Sequence, residues 1–170
     1  MKAPLAVVCC FAAARALAAP PDIKSRIAQV AERHVATVAC PGVKISAADV
    51  LALVPEPGFD AMPKYAVLWN GDLGCYGGSG TERTNLTIGT VNTGRVVVQP
   101  GLSSPVVAFE SPARFVSRVV GSGPDTLVLE GNEYGPNDPN SSPSVPVRFT
   151  LRLDAKGNWV LADKAGLTAR

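Results

Sequence analysis

The sequence predicts an α+β fold: an N-terminal helical pair packed on a twisted, mostly antiparallel, meandering β-sheet, stapled by one disulfide. Three observations lead there. Apolar residues recur at helical spacing as far as Val54 and at a spacing of two beyond Gly58. Gly and Pro, 16 and 15 of 170 residues, punctuate the later part as a series of short strands requires. Cys40 and Cys75 fall one in each part, so a bond between them ties the helical layer to the sheet.

The chain opens with Lys2, an apolar run from Leu5 to Ala14, and Ala16-Leu17-Ala18 ahead of Ala19. A basic start, a short apolar stretch and a small-x-small site form a cleavable export signal, so residues 1–18 are expected to be removed and 19–170 to form one α+β domain. The apolar run is about half of the roughly 20 residues needed to span hydrocarbon. Neither Cys9 nor Cys10 follows the Leu-small-small pattern of an acylated cysteine. A soluble protein of the periplasm or the extracellular space is the expectation, without a membrane span.

Asp22, after Pro20-Pro21, is a suitable N-cap. Behind it Ile23, Ile27, Val30, Ala31, His34, Val35 and Val38 form one apolar stripe, with Arg26, Gln29, Glu32 and Arg33 on the other side. Cys40-Pro41-Gly42 ends this first helix. Ser46 and Asp49 read as a capping box opening a short second helix, Val50–Val54, stopped by Pro55 and Pro57. Tyr65–Trp69 then reads as a strand. Asn70-Gly71 is a two-residue hairpin signal that would pair Trp69 with Asp72 and Tyr65 with Tyr76.

Further strands are expected at 84–92, 95–99, 105–109, 114–120 and 125–131, with turns at Thr93-Gly94 and Gly121–Pro124. The last pair is the clearest: Val145, Val147, Phe149, Leu151 and Leu153 alternate with Pro146, Arg148, Thr150 and Arg152, and Asp154–Asn158 turns the chain into Trp159–Ala162. Segment 132–144 is polar and rich in Pro, Asn and Ser, a long mobile connection.

Lys2 and Arg15 leave with the signal, so the mature chain balances fourteen basic against fourteen acidic residues. It carries no Lys/Arg cluster that would track phosphates, which argues against nucleic acid, and no polybasic stretch for a membrane surface. Cys40 and Cys75 are an even pair in an oxidising compartment, and a disulfide between them is expected rather than a thiol or metal site, there being no Cys-x-x-Cys and no adjacent His.

The loop that could carry recognition runs from Asn70 to Asn85. It holds five glycines beside Cys75, and Gly permits positive φ and the close approach of another molecule. Asp72, Tyr76, Gly77, Gly78, Ser79, Gly80, Thr81, Glu82 and Arg83 are the candidate binding residues. Catalytic templates fail here. The hydrolase elbow around Ser79 needs Gly where Thr81 stands, a phosphate loop needs Lys after Gly80, and the dinucleotide pattern starting at Gly78 breaks at Arg83. The plain alternative is a bulged connection whose glycines let the disulfide close.

His34 is the sole histidine. Its place in the apolar stripe reads as a buried neutral imidazole hydrogen-bonded to the backbone, not as a catalytic base. No metal or cofactor is called for; Asn132, Glu133, Asn137, Asp138 and Asn140 lack the regular spacing of a calcium loop. The sequence therefore leads to a small exported, non-enzymatic binding or accessory protein, suited to inhibiting or protecting against an envelope-active enzyme, its partner being a protein or small ligand of the envelope. Two alternatives stay open: an exported hydrolase using Ser79 or a carboxylate pair near Asp72 and Glu82, and a structural envelope protein.

Overall fold

A computed structural model of the protein describes residues 22–55, 62–78 and 80–167; the expected leader 1–18, and Asp60 and Ser79, lie outside them. Helix α1 spans Ile23–Val38. Asp22 caps it as expected, its carboxylate accepting from Ser25 N at 3.0 Å and Ser25 Oγ at 2.8 Å. Eight strands follow: β1 (Val50–Val54), β2 (Lys64–Gly71), β3 (Arg83–Asn92), β4 (Arg95–Val98), β5 (Phe115–Ser122), β6 (Thr126–Glu133), β7 (Val145–Leu153) and β8 (Trp159–Gly166). They form two four-stranded antiparallel sheets, in the orders β1-β2-β3-β4 and β5-β6-β7-β8.

The expected helical pair and single sheet are both corrected. The Ser46–Asp49 capping box is present, with Ser46 N and Oγ each 2.8 Å from Asp49 Oδ2, but it closes only a single turn of 3-10 helix. Val50–Val54 then enters sheet one as β1. A five-residue apolar run is too short for helical and strand periods to be told apart, and pairing with β2 satisfies its backbone.

Sheet one is covered on both sides. Leu53, Ala66, Leu68, Leu86 and Ile88 face Leu127, Leu129, Val147, Phe149, Leu151 and Trp159 of sheet two. The other face, with Val50, Tyr65, Val67 and Trp69, packs on Ile27, Ala28, Ala31 and Val35 of α1. Helix, sheet and sheet thus form three layers. Tyr65 to Trp69 is an unbroken buried run because it belongs to the middle layer. β7 has only one face covered and keeps its alternation, Val147, Phe149 and Leu151 being buried. Each large side chain among these contributes roughly 1.5–3 kcal/mol through burial.

The Asn70-Gly71 hairpin does not form. Both residues continue β2, which pairs Trp69 with Asn85 and Tyr65 with Gly89, so the turn to β3 is the long segment 72–82. Thr93-Gly94 does turn, both at positive φ (45° and 76°). Gly121 stays in β5 beside a bulge, and the turn falls at Gly123–Asp125. No strand forms at 105–109, where Phe109 makes a lone parallel bridge to Trp159. The 134–144 connection is tied rather than loose, because Asp138 accepts from Gly135 N, Ser144 N and Ser144 Oγ at 2.7–2.8 Å.

Candidate functional site

Cys40 and Cys75 are bonded, with Cα atoms 5.3 Å apart. Cys40 N also donates to Asp72 O at 2.9 Å, so the end of α1 is held to the loop by a covalent and a hydrogen bond. Beside this junction lies an open cleft of about 340 Å³ lined by Pro41, Gly42, Asp72, Gly78, Thr81 and Glu82 among others. Four of the nine candidate loop residues therefore share one concavity.

The rest are placed differently. Tyr76 stands outside it, 87% exposed, its ring against Gly74. Gly77 and Gly78 hold φ of 68° and 119°, and this left-handed backbone is why the loop is built of glycine there. Gly80 faces Asn140 of the other loop. Arg83 belongs to the ladder, opposite Gly71.

Asp72 organises the loop. Gly74 N donates to its Oδ1 at 2.9 Å, and this amide, with the Thr81 hydroxyl and the Gly77 and Cys75 amides, holds its carboxyl below the usual carboxylate range. A carboxylate that stays ionised and is turned onto backbone N–H groups is a poor general acid.

A residue without any sequence signal joins the two polar loops. Arg114 Nε donates to Glu82 O at 2.8 Å, and its Nη1 donates to Tyr134 Oη at 3.3 Å and to Asn140 O. Tyr134 Oη itself donates to Asn140 O at 2.6 Å. The guanidinium lies 4.8 Å from the Phe115 ring centroid. The Arg114 main chain is bonded to both sheets, accepting from Thr84 N at 2.9 Å and donating to Asn132 O at 3.3 Å. The segment can sit so close to β6 because of Gly131, where a Cβ would lie 2.4 Å from Phe115 O and 2.6 Å from Ala113 Cβ. Loops 72–82 and 134–144, far apart in sequence, thus form one surface.

His34 lies on α1 and is half-buried. Its Nε2 has no hydrogen-bond partner among the described residues, contrary to the backbone bond expected, and desolvation pushes its imidazole below the ordinary value. Among the described residues no group of three or more His, Cys, Asp and Glu is arranged to hold a metal ion, and no helix is long and apolar enough to cross a membrane.

No protein-family model matches the chain, and neither a curated protein nor a solved structure matches it.

Proposed function

We propose that this is a small exported binding protein without catalysis of its own, which docks through the joined loops 72–83 and 134–144 onto a protein partner in the periplasm or outside the cell. Inhibiting an envelope-active enzyme, or protecting against one, is the role that suits it. The observation that carries this reading is the Arg114 clamp between the two loops. A surface held by a disulfide at one end and a guanidinium at the other loses little conformational freedom on docking, so more of its contact energy is realised as affinity. Tyr76 supports it as the anchor: an exposed, amphipathic ring with few rotatable bonds is the residue type that dominates protein interfaces.

The test is affinity capture by the mature, oxidised protein from envelope extract of its host, repeated with Tyr76→Ala and Gly78→Asp. Partner loss in both variants is the expected result, with a melting temperature unchanged in Tyr76→Ala and lowered in Gly78→Asp by the strain of a side chain at its positive φ. Undiminished capture by both rules the loop out as the contact.

A further inference from the structure

A second cleft, of about 470 Å³, shares only Asn70 with the one beside the loop. Its size falls within the range of small-molecule sites, roughly 300–1,000 Å³. β5, which runs from its contact with Thr84 to a hydrogen bond between Ser122 Oγ and Ala52 O, forms one wall, and β1 and the end of β2 form the other. Leu51, Val116 and Val119, all half-buried, supply apolar surface to it.

The polar groups at this cleft favour one sign of charge. Lys44, 86% exposed, makes a single surface ion pair with Glu32 at 3.3 Å, a bond that an incoming anion can replace at little cost. Arg118 Nε is 3.0 Å from Glu130, whose carboxylate also holds Arg148 at 2.5 Å, so two guanidinium groups meet one carboxylate. Asn70 commits Oδ1 to the Thr84 hydroxyl at 2.6 Å, which fixes its amide so that Nδ2 is the group left to donate. The acid at the cleft, Asp49, is turned onto Ser46 N and Oγ in the capping box. What remains is an apolar wall beside two cations and an amide donor.

We propose that this cleft binds a small amphipathic anion: a carboxylate headgroup between Lys44, Arg118 and Asn70, with an apolar body along Leu51, Val116 and Val119. The site is independent of the loop surface and stands whether or not a protein partner docks there.

The test uses the oxidised mature protein with decanoate, below its micelle concentration, and decanol as the uncharged counterpart. Calorimetry and amide shift mapping give stoichiometry and location. Expected are saturable one-to-one binding of decanoate, shifts centred on Leu51, Asn70 and Val116–Val119, and affinity at least about tenfold lower for decanol and for Lys44→Glu/Arg118→Ser, a change of about 1.4 kcal/mol. Both substituted side chains are exposed and Arg148 still pairs with Glu130, so the variant should fold, with a melting temperature only slightly below the parent's. Absence of saturation, equal binding of decanol, or undiminished binding by the double variant overturns the proposal.

Discussion

Thr84, in sheet one, is hydrogen-bonded directly into sheet two through Val116: the Val116 amide donates to Thr84 Oγ1 at 2.9 Å, and the same hydroxyl donates to Asn70 Oδ1 at 2.6 Å. Thr84 is 4% exposed, although both bonds are only partly buried. Thr84→Val keeps the volume and removes the acceptor. It should cost about 1 kcal/mol, the loss of a hydrogen bond to a half-buried amide, whereas Thr84→Ser should recover most of it. Urea unfolding measures both; a Val variant as stable as the parent would remove this link from the account of how the sheets are joined.

The gross architecture was legible because it rests on local pattern: the capped amphipathic helix, the alternation of 145–153 and the paired cysteines all appear where the residues indicate. What failed depended on distant context. Asn70-Gly71 has the chemistry of a tight turn, yet the bonds Asn70 makes with Thr84, and Gly71 with Asn85, keep both in the strand. The split into two sheets has one trace in the sequence, the unbroken apolar run Tyr65–Trp69, which marks a middle layer. Arg114 left none. One Arg between Ala113 and Phe115 looks like any solvated strand residue, and its role comes from which carbonyls the fold sets around it.

The clamp should be separable from the fold. Arg114→Ala removes the donors to Glu82, Tyr134 and Asn140. The site is partly exposed, so the stability cost should be about 1 kcal/mol. Amide exchange should rise together in 72–83 and 134–144 while β6 and β7 keep their protection. Faster exchange in only one loop would show that Arg114 does not couple them. Gly131→Ala, which forces Phe115 O and Ala113 away, should loosen both loops and also destabilise β5 against β6.

Reduction of the disulfide should matter more. Cys40 and Cys75 close a loop of 35 residues, worth about 4 kcal/mol in the chain-entropy view, against a total of about 5–15 kcal/mol for an ordinary domain. Cys40→Ala/Cys75→Ala should therefore lower the urea midpoint substantially and steepen the slope, because the unfolded chain freed of the cross-link exposes more surface. A double variant within about 1 kcal/mol of the parent would mean that the packing of α1 on sheet one already restrains this loop.

Acid should weaken the fold in two steps. His34 has its value lowered by desolvation, so the unfolded chain binds a proton that the folded one resists, and stability declines as pH falls below about 6.5. Asp138, held low chiefly by the Gly135 amide and then by Ser144, behaves as a depressed carboxyl: its contribution is complete above the unfolded value of about 3.9 and is lost as pH falls through the folded one. Urea midpoints between pH 3 and 8 should show both slopes. His34→Gln should flatten the upper step and Asp138→Asn should make the lower one shallower; slopes unchanged by either substitution would assign the acid response to other groups.

β8 lies at the edge of sheet two, and three of its outward amides are closed within the chain. Trp159 N donates to Ala108 O at 2.9 Å, Leu161 N to Glu110 Oε2 at 3.2 Å, and Lys164 N to Asp163 Oδ1 at 2.9 Å. An edge with free N–H groups is a template for a further strand, and here two carboxylates occupy the positions such a strand would use. Leu161 is 40% exposed beside them, so apolar contact would reinforce any strand that gained access. Glu110→Ala with Asp163→Ala should therefore raise concentration-dependent association relative to the parent, measured by sedimentation velocity across a range of loadings. The single variant Glu110→Gln, whose amide oxygen can still accept from Leu161 N, should stay near the parent. Identical sedimentation of the double variant and the parent would show that the exposed charge of the β8 face, not the closure of its amides, is what keeps this edge unpaired.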